Sequence, residues 1–168
     1  MRAPLGREMT PLPSQAQSGA ELSVAGWREW IHLPELGLGP LVAKLDTGAR
    51  TSALHAEDLA FFERDGLRHV RFRVPLVGRR PCALARAEGC RTVEAPVLGY
   101  QRVRNSGGID SDRVLIETPC RLGDRTFPIQ LTLVSRARMQ LPVLLGRRAL
   151  GGRVWVDSAR AFALSSRR

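Results

Sequence analysis

Lysine is almost missing from this chain. Of its 26 Lys and Arg residues only Lys44 is a lysine, so 25 are arginine; Asn105 is the only asparagine and Tyr100 the only tyrosine. The formal charge of +10 resembles that of a nucleic-acid binder. Single-strand binding, however, uses aromatic platforms interleaved with the basic residues. One tyrosine, and phenylalanines (Phe61, Phe62, Phe72, Phe127, Phe162) set mostly in apolar patterns, rank nucleic acid low. The arginine-for-lysine bias fits a GC-rich genome, and the charge reads mostly as solvated background. What excess remains favours acidic partners or acidic peptide substrates.

Other absences exclude whole classes of chemistry. No apolar run is long enough to span a bilayer. Met1 to Ala20 has no apolar core of a signal peptide, so the expected compartment is the cytoplasm, with no membrane partner. His-Glu-x-x-His and Cys-x-x-Cys are both absent, so no metal is expected. A metallohydrolase built from His32, His55 and His69 stays as a minor alternative. No Gly-x-x-x-x-Gly-Lys-Ser/Thr phosphate loop occurs, and no cofactor is expected. Thr51 or Ser52 with His55 lacks the Gly-x-Ser-x-Gly elbow of a serine hydrolase, which leaves those side chains local hydrogen-bonding roles. Cys82, Cys90 and Cys120 are odd in number and loosely spaced, and read as three thiols rather than a disulfide framework.

What is present is a β pattern. Residues 1–20, with Pro4, Pro11 and Pro13, read as a disordered tail, and 21–168 as one domain. Leu22 to Ile31 predicts an opening strand or two, and Pro34 to Pro40 a turn-rich connector. Residues 41–46 form a short buried strand running into Asp46-Thr47-Gly48. Ala56 to Arg64 suggests a short helix. His69 to Leu76 alternates, with His69, Arg71 and Arg73 on one face and Val70, Phe72 and Val74 on the other. Another strand is expected around Val93 to Tyr100. Arg113 to Leu122 and Arg125 to Val134 pair about the turn Gly123-Asp124. Pro142 to Leu145 is a short buried strand ended by Gly146. Arg147 to Leu150 makes one helical turn, and Arg153 to Asp157 a last strand. The sum is mainly β: a closed or partly open barrel with one or two short helices.

Asp46-Thr47-Gly48-Ala49, with Leu144-Leu145-Gly146 downstream, resembles the retroviral-type aspartic proteases, the retropepsins. A closer likeness is to a bacterial retropepsin-like family often labelled ATP-dependent zinc proteases. Three blocks carry it in order: Gly26 to Trp30, Lys44 to Ala56 (KLDTGARTSALHA) and Pro142 to Leu150 (PVLLGRRAL). The resemblance implies an aspartic-type peptidase with Asp46 as catalytic carboxylate and Leu145 and Gly146 packed beneath it. It implies a homodimer that sets Asp46 against Asp46 of a second chain, with Thr47 bracing the pair and Gly48 and Ala49 lining the cleft. It also implies a flap over the substrate. Arg104 to Asp110, with Gly107 and Gly108, is the first candidate and the Val77–Arg80 turn the second. Arg50 departs from ordinary retropepsins and belongs to the bacterial pattern. It would lower the pKa of Asp46, bind a substrate carboxylate, or pair with Asp110, Asp112 or Glu117. Members of the family often accompany a glutamate ligase, which suggests an acidic, glutamate-rich protein tail as substrate. The rival reading is a non-catalytic module of the same fold that binds an acidic protein partner.

Overall fold

The computed structural model describes residues 22–76, 89–104, 110–135 and 141–164; the predicted tail at 1–20, the Val77–Arg80 turn and residues 105–109 of the first flap candidate, with Gly107 and Gly108, lie outside them. Twelve strands and two short helical turns follow in order. They are β1 (Ser23–Gly26), β2 (Arg28–Leu33), a 3-10 turn (Pro34–Leu36), β3 (Leu38–Leu45), β4 (Ser52–His55), β5 (Glu57–Arg64) and β6 (Leu67–Pro75). Then come β7 (Cys90–Pro96), β8 (Gly99–Arg104), β9 (Asp110–Leu122), β10 (Arg125–Val134), β11 (Val143–Leu145), α1 (Arg147–Leu150) and β12 (Val154–Asp157).

Six strands in the order β10-β4-β11-β3-β2-β9 close on themselves, because β9 also pairs with β10. The result is a closed barrel, with β8 added outside β9. Closure removes the exposed edges that an open sheet would leave. The chain turns from β9 into β10 at Gly123-Asp124, where Leu122 pairs with Arg125 and Gly123 takes a φ of 62° that glycine adopts without strain. Alternate residues of the strands fill the interior: Ile31 and Leu33 from β2, Ala43 and Leu45 from β3, Ile116 from β9 and Leu131 from β10 are buried.

The central feature is the place of β11. It slots between β3 and β4, parallel to the first (Leu145 beside Leu45) and antiparallel to the second (Val143 beside Leu54). The loop joining β3 to β4 carries Asp46 and must arch over the end of this inserted strand.

A second, three-stranded sheet runs β5-β6-β7. On β6, Val70, Phe72 and Val74 are fully buried while Arg71 is exposed, as alternation predicts. Two local expectations are corrected. Residues 57–64 form strand β5, not a helix. So short a helix has little stability of its own, and β6 offers a ladder along its length, with a bulge at Asp58 (φ 54°) absorbing the misfit. The single strand expected around 93–100 is two strands in different sheets. The Val97 N–H donates to Arg68 O on β6 and the next N–H, of Leu98, to Leu115 O on β9, both at 2.8 Å, so the chain changes sheets there. Cys90 is disulfide-bonded, which corrects the reading of three thiols; Cys120 is free and buried, and burial pushes its thiol up to about 12.

The two ends of the described chain meet. β1 and β12 form a parallel pair, and the segment after β12 folds back over β2. There Phe162 stacks on Trp30, with ring centroids 5.5 Å apart. Beneath it the buried Glu29 carboxylate accepts three backbone N–H groups: Gly26 at 2.7 Å, Ala163 at 2.6 Å and Leu164 at 3.0 Å. Among the described residues no helix is long and apolar enough to cross a membrane.

Candidate active site

Asp46 stands one residue past the end of β3, and its own N–H donates to Leu145 O at 2.8 Å, which extends the β3–β11 ladder to the site. The chain then turns at once, closed by the Ala49 N–H on Asp46 O at 3.2 Å. The turn points two successive amides at the side chain. Asp46 Oδ1 accepts from the Gly48 N–H at 3.0 Å and from the Ala49 N–H at 3.2 Å. The other oxygen, Oδ2, accepts from Lys44 Nζ at 2.9 Å. The Lys44 ammonium, more than any other group, holds the Asp46 carboxyl below the usual carboxylate range; partial desolvation opposes it and the two amides assist. The carboxylate side chain is 23% exposed, so it is held on both oxygens yet open to a reactant.

The loop is clamped from behind by residues a hundred positions away. A Cβ on Gly146 would lie 2.6 Å from Thr51 O and 2.9 Å from Ala49 O, so only glycine allows this approach. Its N–H donates to Ser52 Oγ at 3.1 Å, and Ser52 O in turn accepts from Thr132 Oγ1 at 3.0 Å. The Arg147 N–H donates to Ala49 O at 2.8 Å, and its guanidinium Nη1 reaches Thr47 O at 3.0 Å and Gly48 O at 2.8 Å. The Arg148 N–H donates to Arg50 O at 3.2 Å. Every carbonyl from Thr47 to Arg50 thus accepts from α1, and the turn is fixed before any reactant arrives.

Of the residues singled out in the sequence, Asp46, Thr47, Gly48, Ala49, Arg50, Leu145 and Gly146 come together here. Gly107 and Gly108 lie outside the described residues. Thr47 and Arg50 are exposed, and among the described residues Arg50 makes no ion pair. Asp112 is engaged with Arg102 at 3.5 Å, and Glu117 with Gln130 at 3.3 Å. His55 sits at the far end of β4, between Val134 O and Glu57, both at 3.2 Å. Among the described residues no three His, Cys, Asp or Glu side chains gather in a metal-sized cluster.

Two functional positions are not apparent from the sequence. Lys44 lies two residues before Asp46 on one strand, and period-two alternation puts them on one face; that signal was available. Arg147 stands in the LLGR block, which shows nothing of its grip on the loop; Ser52, expected to hydrogen-bond rather than attack, accepts the Gly146 N–H. A recess of about 180 Å³ opens behind the loop, lined by Thr51, Gln101, Glu117, Gln130 and Arg148 among others. Arg148, like Arg50, has no ion pair among the described residues.

One ionised, accessible carboxylate fixed by backbone amides suits general-base activation of water. A profile described as "RimB-like: Retropepsin-like aspartic endopeptidase RimB" matches residues 24–166. Two curated relatives are each named "Probable alpha-L-glutamate ligase". One, from Parasynechococcus marenigrum, is 42% identical over 135 residues, covering 80% of this chain and 28% of the relative. The other, from Desulfotalea psychrophila, is 36% identical over 141 residues, covering 84% and 29%. The chain therefore spans less than a third of the length of these relatives. A crystal structure of a Legionella pneumophila protein of unknown function superposes with a TM-score of 0.67 at 30% identity, covering 84% of this chain and 98% of that one.

Proposed function

The chain belongs to the RimB-like family of retropepsin-like aspartic endopeptidases, and on that premise we propose that it hydrolyses peptide bonds with a water activated by Asp46. The observation that carries this reading is the Asp46 carboxylate, ionised, part-exposed and held by two backbone amides on a turn clamped from behind. An aspartic-type site sets two carboxylates about one water: one takes its proton while the other polarises the scissile carbonyl. This chain has a single Asp-Thr-Gly, so the second carboxylate comes from a second copy across a two-fold axis. Thr47, exposed beside the turn, is suited to brace that pair. The substrate enters as an extended strand along Gly48 and Ala49.

The substrate class we propose is an acidic, glutamate-bearing chain. Arg50 and Arg148 offer guanidinium groups with no carboxylate partner among the described residues, and guanidinium pairs strongly with carboxylate. The curated relatives named as glutamate ligases support the same class. The test is to incubate the purified protein with peptides ending in several glutamates and with neutral peptides of equal length, and to read the products by mass spectrometry. Cutting of the acidic peptide by the wild type, weakened by salt and absent in Asp46→Asn, is expected. Equal cutting of acidic and neutral peptides overturns the substrate class, and cutting by Asp46→Asn overturns the mechanism.

A second reading has one observation in its favour: the ligase name of relatives that carry a matching segment in under a third of their length. In it, the domain holds an acidic chain without cutting it. Acidic peptides would then bind equally to the wild type and to Asp46→Asn, and neither would release a product.

A further inference from the structure

Arg28 is a guanidinium fixed in place without an anion. It opens β2, and its Cζ lies 4.8 Å from the centre of the Trp27 ring and 5.1 Å from that of Phe162. Phe162 is fixed in turn: its N–H donates to Arg28 O at 2.8 Å and its ring stacks on Trp30. Arg28 Nε is closed off from solvent and has no acceptor. Among the described residues the Arg28 side chain makes no hydrogen bond and no ion pair. Its neighbour Glu29 is fully buried, and its carboxylate is given to the backbone N–H groups of Gly26, Ala163 and Leu164. A partly desolvated cation is costly until it is paired.

The position of Arg28 ties it to Asp46. It is the register partner of Lys44, and the Leu45 N–H donates to Trp27 O at 2.9 Å, so the start of β2 lies beside the end of β3. Register partners project from one face with Cβ atoms about 4.5–5.5 Å apart. Here that is the outer face of the barrel, since Glu29 and Ile31 on β2 and Ala43 and Leu45 on β3 are buried on the other. From the same face Lys44 Nζ donates to Asp46 Oδ2 at 2.9 Å. Arg28, Lys44 and Asp46 thus follow one another as cation, cation and carboxylate, with positive charge in excess beside the reacting group.

Resting on the peptidase reading above, we infer that Arg28 is a specificity-determining residue, which takes the side-chain carboxylate of an acidic residue flanking the scissile bond. The two rings hold the guanidinium in advance, so little side-chain freedom is lost when a carboxylate docks. Its Nη donors form the fork that matches a carboxylate. The Lys44 ammonium has donors to spare after serving Oδ2, and the same carboxylate can share them. A carboxylate held there is separated from Asp46 by a single ammonium group, which places it next to the bond being cut. Arg28 takes no part in proton transfer, and the pair of Asp46 carboxylates shares its proton as before. Arg50 and Arg148 differ: they are exposed, and among the described residues no aromatic ring lies against them. They attract an acidic chain without fixing which of its residues stands at the cut.

The experiment walks a single glutamate through an otherwise neutral glutamine peptide and reads cut sites and rates by mass spectrometry, in wild type, Arg28→Gln and Arg28→Lys. In the wild type, glutamate at one fixed position flanking the cut should raise kcat/KM about tenfold or more over glutamate at remote positions, mainly through KM. In Arg28→Gln that ratio should fall to about one, and Arg28→Lys should restore part of it. An arginine that serves packing alone would lower the rates on all these peptides together, and an unchanged ratio overturns the inference. A second measurement needs neither turnover nor an Arg28 variant that folds. In arginine-labelled Asp46→Asn, the Arg28 Nε–H signal, assigned through its own backbone, should shift on titration with a pentaglutamate peptide and stay in place with pentaglutamine. A signal unmoved by both, or moved equally by both, overturns the inference. Failure of the wild type to cut any peptide overturns the peptidase reading instead, and the titration still decides whether Arg28 takes a carboxylate.

Discussion

Glu29 and Asp46 receive the same kind of interaction and put it to different ends. Glu29 is fully buried, and one of its oxygens gathers three backbone N–H groups from two distant segments, Gly26 on β1 and Ala163 and Leu164 after β12. It fastens the end of the described chain to its beginning. Asp46 gathers two backbone N–H groups on one oxygen, both from its own turn, and leaves the other to Lys44 and solvent. The first carboxylate is spent on the fold. The second is held as firmly on one side and left available on the other. Amide donors therefore do not mark a reactive carboxylate; the exposed second oxygen does.

The contrast can be sharpened by substitution, and the largest effect is expected at Asp46. Asp46→Asn should lower peptide hydrolysis by a factor on the order of 10³, the scale of a lost general base, with a small change in melting temperature. Glu29→Ala should do the reverse. It leaves three N–H groups without their acceptor, that of Gly26 buried and those of Ala163 and Leu164 part-buried, and should cost about 1–3 kcal/mol in chemical denaturation, while turnover by the fraction still folded is retained. If Glu29→Ala instead abolished turnover in folded protein, the division between the two regions would be wrong. Gly146→Ala couples the regions, since its Cβ would press within 2.6 Å of Thr51 O. About 1–3 kcal/mol of stability and a large part of the activity should be lost together.

The smallest effect is the pH dependence of stability. Asp46 is held below the ordinary carboxylate value of 3.8, chiefly by Lys44. A carboxyl whose folded pKa is depressed stabilises the fold above the unfolded value and loses that contribution as pH falls through the folded one. The stability difference between wild type and Asp46→Asn should therefore be present near neutral pH and shrink in denaturation curves as pH falls below about 3.8.

How far the sequence shows this arrangement depends on the distance over which each feature is decided. Alternation along β6 exposes its buried face, Val70, Phe72 and Val74, and Gly123-Asp124 announces the β9–β10 turn, because both are settled within a few residues. β5 looked helical because its pairing with β6 is tertiary, and the break between β7 and β8 hides in two amides that choose different sheets. The Glu29 contact spans more than 130 residues, and no local pattern encodes it. At the site, Asp46 was legible from Asp-Thr-Gly. Its partnership with Gly146 came from the order of three blocks resembling a family, not from spacing. Lys44 stands two residues upstream, where alternation puts it on the face of Asp46, but its contact with Oδ2 is visible only in the folded chain.

The most direct test of the account is the separation of the two Asp46 carboxylates in a crystal structure of the assembled protein. The account predicts a two-fold pair whose carboxylate oxygens lie within about 2.6–3.2 Å of each other or of one shared water, each with Lys44 on its outer oxygen. A monomer under all conditions, or a dimer that holds the two carboxylates well apart, would contradict it.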